Sequence, residues 1–99
     1  MLLHTVSKSP DNSSALTSAL RSALPGSHIL LLQDGVYAAR AGTAAAAQLA
    51  SATDIRCYAL IEDVAARGLQ DLLEPSIELV DYSGFVRLSV DCHAVQSWY

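Results

Sequence analysis

The groups in this chain able to do chemistry are two thiols, three imidazoles and a set of carboxylates placed after apolar runs. Cys57 sits inside Ile55-Arg56-Cys57-Tyr58-Ala59-Leu60. A cysteine in a strand interior is usually a small core hydrophobe. A reactive thiolate needs exposure and a positive neighbourhood, and on a strand Arg56 points to the opposite face. Cys92 stands between Asp91 and His93 in a polar C-terminal stretch. Asp91 disfavours a thiolate there while His93 would favour one, and an ordinary exposed cysteine is the expectation. The two cysteines form no CxxC or His/Cys ligand spacing, and free thiols are expected in a reducing compartment. His4, His28 and His93 are widely spaced, without metal-ligand spacing between any pair. No serine sits on a nucleophile elbow.

Asp34, Asp63 and Asp81 follow or closely trail three predicted strand ends. Such a set has two readings. It could hold magnesium in the manner of a phosphoacceptor domain, or each acid could accept backbone N–H groups and cap the helix or turn behind it. Capping accounts for all three without a ligand. The loop Thr5-Val6-Ser7-Lys8-Ser9-Pro10 follows the first strand, where such folds bind phosphates, but it lacks glycine. Neither GxGxxG nor a Walker lysine motif occurs. The residues therefore predict no catalytic set, no cofactor site and no metal site.

The elements that must position these groups alternate. Leu2–Val6 reads as a first strand. Ser9 or Asn12 would cap the helix that follows, whose apolar face is Leu16, Leu20 and Leu24 with Ala15, Ala19 and Ala23, stopped by Pro25-Gly26. Ile29–Leu32 reads as a strand covered on both faces. It ends in Gln33-Asp34-Gly35, an acidic turn at the carboxyl edge of a sheet, where open α/β folds build sites. Gly35–Ala50 reads as helical, broken at Ala41-Gly42-Thr43, with Thr43 capping Ala44–Leu49. Ile55–Ile61 is the third strand, Glu62–Gly68 a helical turn closed by glycine, and Gln70–Leu73 a further turn. Ile77–Val80 is the fourth strand and Tyr82–Ser89 a helix. Asp91–Tyr99 is a tail with two terminal aromatics and room for a short fifth strand. The alternation predicts one domain over residues 1–99, a three-layer α/β/α sandwich with a mostly parallel sheet of flavodoxin-like or Rossmann-like kind.

Composition limits the partners. The 99 residues are 52% hydrophobic but only 16% charged, so part of the surface is expected to be hidden against other proteins. A net charge of -4, with six basic residues scattered singly, argues against direct nucleic-acid binding. Met1–Val6 lacks the basic segment and long apolar core of a signal peptide, and no apolar run approaches the roughly 20 residues that span a bilayer. A cytoplasmic location, away from membranes, is expected.

Several segments in order resemble one family, the TusB/DsrH family of small sulfur-relay subunits. They are Leu3-His4-Thr5-Val6 with Lys8-Ser9-Pro10, then Leu30-Leu31-Leu32-Gln33-Asp34-Gly35-Val36-Tyr37-Ala38-Ala39. Tyr58-Ala59-Leu60 with Glu62-Asp63 and Ala66-Arg67-Gly68 follow, then Val80-Asp81-Tyr82, Phe85-Val86-Arg87-Leu88 and Val95-Gln96-Ser97-Trp98. The resemblance implies the same α/β/α fold and a subunit that joins C-type and D-type homologues in a heterohexamer. That complex takes persulfide sulfur from upstream carriers and passes it on, in the Tus branch toward 2-thiolation of the tRNA wobble uridine. In the Dsr branch a similar complex serves sulfur oxidation. The principal sulfur-carrying cysteine belongs to the D-type subunit. DsrH-type chains carry a cysteine in the first helix, and an ungapped alignment puts Ala19 there. This departure favours the Tus branch and a non-catalytic subunit, with no role carried over to Cys57 or Cys92. A DsrH-like subunit of a sulfur-oxidation complex and an independent sulfurtransferase using Cys92 are the alternatives, and a magnesium-dependent switch through Asp34 and Asp63 ranks last.

Overall fold

The computed structural model describes residues 2–98. It orders β1 (Leu2–Val6), α1 (Ala15–Ser22), β2 (His28–Leu31), a 3₁₀ segment (Gln33–Ala39), α2 (Ala44–Ser51) and β3 (Arg56–Leu60). After these come α3 (Ile61–Ala66), β4 (Glu78–Val80), α4 (Tyr82–Asp91) and β5 (Ala94–Trp98). The sheet order is β4-β3-β2-β1-β5, and every pairing is parallel. The α/β class read from the alternation is therefore the observed one, and the tail after Cys92 is a full fifth strand beside β1. Tyr99, expected at the end of that tail, lies outside the described residues.

The chain direction explains the two unequal layers. From β1 to β4 each strand steps the same way, so right-handed crossovers put α1, the 3₁₀ segment, α2 and α3 on one face. The last crossover runs back past three strands, so α4 lies on the other face. The first face carries the larger core: Ala15, Leu16 and Ala19 of α1, Val36, Ala38 and Ala39 of the 3₁₀ segment, Leu49 of α2 and Val64 of α3 pack on Val6, Ile29, Leu31, Cys57 and Ala59. The alanines let the helices approach closely. On the second face Leu3, Leu30 and Tyr58 meet Cys92, Phe85 and Leu88 beneath α4. All four residues of β2 are buried.

Local details differ from expectation in instructive ways. Neither Ser9 nor Asn12 caps α1. Ser9 closes a preceding turn, its Oγ accepting from Asp11 N at 3.3 Å and its carbonyl from Asn12 N at 3.1 Å. The free N–H of Ala15 is instead taken by Ser13 Oγ at 3.0 Å. Leu24 lies beyond the end of α1 and is 73% exposed, because the helix stops before the Pro25-Gly26 turn, where Gly26 has φ 88°. The Thr43 cap is as expected, its Oγ1 accepting from Ala46 N at 3.2 Å. The first piece before it is 3₁₀ rather than α-helical and begins at Gln33. The expected turn at Gln70–Leu73 is present as a single hydrogen-bonded turn, Leu72 N donating to Leu69 O at 2.9 Å. Its backbone ties to the end of the 3₁₀ segment, with Ala41 N donating to Leu72 O at 2.7 Å and Glu74 N to Ala39 O at 2.8 Å. Ile61 opens α3 rather than ending β3.

Candidate functional site

The carboxyl edge of β2 is built by three constraints. Gln33, not the glycine, takes the left-handed backbone conformation, with φ 50°. Gly35 is required for space: a Cβ there would collide with the carbonyl oxygen of Val6 at the end of β1. The acids around this turn then divide their work. Asp63 Oδ2 accepts from Gln33 N at 2.6 Å, which fixes the strained residue from the neighbouring α3. Asp34 Oδ1 binds Arg67, with Nε at 3.0 Å and Nη2 at 2.9 Å. Arg67 Nη1 also donates to the Asp63 carbonyl at 3.2 Å. Of the three acids read as caps, only Asp81 caps the helix behind it, through Oδ1 to Gly84 N at 2.7 Å. Asp34 and Asp63 are clamped on Arg67 and on another loop instead. A guanidinium in this position neutralises the acids that a magnesium ion would need.

Arg67 is the residue sequence reasoning missed at this edge. Its partner Asp34 lies on a different element, and no spacing rule reaches that far. The edge is also not the point where the fold changes direction. In open sheets the crevice forms where following connections leave to opposite faces, which here is between β3 and β4, followed by α3 on one face and α4 on the other. Beside the turn, an open groove of about 310 Å³ between α1 and α2 is lined by Asp11, Thr17, Tyr37, Arg40 and Thr43 among others. Its lining holds the Ser13 and Thr17 hydroxyls and the Asp11 carboxylate, but neither cysteine nor histidine.

The cysteines lie in separate cores. Cys57 packs under the α1–α3 face and Cys92 under α4, so the sheet stands between them. Burial pushes the Cys57 thiol up to about 11. Cys92 was expected to be exposed in a polar tail. It is 7% exposed, because α4 runs on through Asp91 and turns Cys92 inward at its end. Its thiol too is held above the ordinary range, by burial first and by the Asp91 carboxylate. Arg56 points away from Cys57 as strand alternation requires, lying over the Tyr58 ring at 5.9 Å and pairing with Glu78 at 3.6 Å.

Two of the three histidines, His4 and His28, are structural in position, while His93 is exposed after α4. His4 is buried in β1, and its Nδ1 accepts from Trp98 Nε1 of β5 at 3.0 Å. That assignment puts the proton on Nε2, which is buried without a hydrogen-bond partner. His28 Nδ1 lies 3.2 Å from the Tyr58 hydroxyl, buried beneath the α4 side of the sheet. Burial lowers the basicity of both imidazoles, and Arg56 lowers that of His28 further. Among the described residues no three His, Cys, Asp or Glu side chains come together as a metal-holding group. No helix there is long and apolar enough to cross a membrane. Ala19 is fully buried in the core.

Comparison with known proteins agrees over the full chain. The family model described as "DsrH like protein" matches residues 8–95. Protein TusB of Escherichia coli (strain K12) is 41% identical over 97 residues, covering 98% of this chain and 100% of that protein. Protein TusB of Sodalis glossinidius is 39% identical with the same coverage. Among solved structures, the ychN protein from E. coli superposes with a TM-score of 0.81 at 15% identity over 97% of each chain, a likeness of fold alone. Protein Tm0979 from Thermotoga maritima superposes with a TM-score of 0.66 at 28% identity, over 89% of this chain and 90% of that one. By the family model and the full-length relatives alike, this chain belongs to the TusB/DsrH family.

Proposed function

We propose that this chain is a non-catalytic subunit of a cytoplasmic heterohexameric sulfur-relay complex, joined to C-type and D-type homologues, that passes persulfide sulfur toward 2-thiolation of the tRNA wobble uridine. The observation that carries the reading is the 41% identity to a protein named TusB along its whole length. The thiols support the non-catalytic part. A persulfide carrier must present a thiolate to the donor and its sulfane sulfur to the acceptor. Cys57 and Cys92 are each 7% exposed and each raised in pKa, so neither presents a thiolate at neutral pH.

The test is reconstitution with the C-type and D-type subunits. One complex near hexamer mass is expected by light scattering. Replacing Cys57 and Cys92 by alanine should leave sulfur relay by that complex nearly intact. Recovery of this chain only as a free monomer beside folded partners would overturn the assembly. Loss of relay on Cys92→Ala in a complex that still assembles would instead make Cys92 a carrier.

A further inference from the structure

The two edges of the sheet are guarded unequally. β4, at one edge, is three residues long, follows Pro75 closely, and carries Glu78 in an ion pair with Arg56. Short strands, charges and prolines are the devices by which natural edges refuse further strands. β5, at the other edge, runs five residues as Ala94-Val95-Gln96-Ser97-Trp98, without charge, proline or glycine. Its residues 94–97 are exposed, and among the described residues only β1 pairs with it. Alternate residues of β5 therefore present backbone N–H and C=O groups outward in a regular row. The groups left open define what fits them: an extended peptide segment that completes the ladder.

We propose that the β5 edge takes up an extended strand from another subunit of the relay complex, continuing the sheet across the subunit boundary. This rests on the assembly proposed above. A second copy of this chain is the poorer occupant. A closed two-fold pairing runs antiparallel. Along the whole strand it sets Val95 opposite Ser97, whose hydroxyl is engaged by Thr5 at 3.2 Å. Setting Val95 against Val95 leaves Ser97 and Trp98 unpaired. Val95, 46% exposed on the face that carries α4, needs an apolar residue opposite it on a strand of matching length. A different strand supplies that and β5 itself does not.

Residue-resolved amide hydrogen exchange on the chain alone and in the complex with C-type and D-type subunits tests this. Alternate amides of 94–98 should lose their fast exchange on assembly. Val95→Lys should weaken assembly while leaving the melting of the isolated chain unchanged. If that variant fails to fold, the exchange of the wild-type chain still decides. A complex that forms with β5 exchanging as it does in the free chain overturns the strand while sparing the assembly. Alternate β5 amides already slow in a self-dimer of the chain alone would put a second copy on the edge and overturn the proposal. Failure of any complex to form overturns the sulfur-relay assembly and this occupant with it.

Discussion

At Gln33-Asp34-Gly35 three adjacent residues answer to three different forces, and substitution should separate them. Gly35 answers to space, since any side chain meets the end of β1. Gly35→Ala should cost about 1–3 kcal/mol, as overpacking of a close backbone approach does. Asp34 answers to charge. Its side chain is 59% exposed, so solvent screens its pair with Arg67, and Asp34→Ala should cost under about 1 kcal/mol. Denaturant midpoints of the two variants should rank in that order, and the reverse order would mean the turn is held by the ion pair. Magnesium should not shift either midpoint.

The buried imidazoles predict a dependence on pH. Their folded pKa values lie below the ordinary 6.5, so above that value the rings are neutral in both folded and unfolded chains and contribute no slope. As pH falls through 6.5 the unfolded chain takes up protons that the folded chain refuses, and stability declines toward the lower folded values. His4 has a specific reason to refuse: a proton on Nδ1 faces the Trp98 N–H, donor against donor. Unfolding free energy measured from neutral pH to about pH 5 should fall, with the fluorescence of Trp98 changing in the same range. A flat profile would mean that His4 is hydrated. The pairing itself was not legible in the sequence. Its partners are 94 residues apart, and only the return of the last strand to β1 brings them together.

At the scale of elements, the strands and the break at Gly42 were readable because local physics fixes them. Uniform apolar runs make buried strands, and Thr43 caps whatever helix begins after it. What was not readable depends on distant backbone. The 3₁₀ segment Gln33–Ala39 ends on backbone ties to residues 72–74, and the inward turn of Cys92 follows from two further residues of α4. The role of Asp34 and Asp63 went wrong for the same reason, because the partners they take, Arg67 for Asp34 and Gln33 N for Asp63, lie on other elements. The caps that do hold should be worth about 1 kcal/mol each. Thr43→Ala and Asp81→Ala should each lower the denaturant midpoint by that much, and Ser9→Ala, which serves only a loop turn, by distinctly less. Equal losses at all three would restore Ser9 as a cap.

Across the whole molecule the sheet divides the apolar residues unequally, and stability should divide with them. Three helices and the 3₁₀ segment press on one face, and α4 alone covers the other. α4 buries only Gly84 fully, while Tyr82, Val86 and Val90 stand 62%, 48% and 77% exposed. Regions with few buried contacts open locally at lower free energy than the core. In the isolated chain, amides of α4 and β5 should therefore exchange through a partial opening, and those of β2 only through global unfolding. Adding denaturant should merge the two classes as global unfolding overtakes the local route. Leu88→Ala, which removes a side chain packed beneath α4, should speed exchange in α4 more than in β2. Val90→Ser, on the outer surface, should change exchange little in either, since exposed substitutions usually stay within about 0.5 kcal/mol. Identical protection for α4, β5 and β2 would show one cooperative unit, and the thin second layer would then be as firmly held as the first.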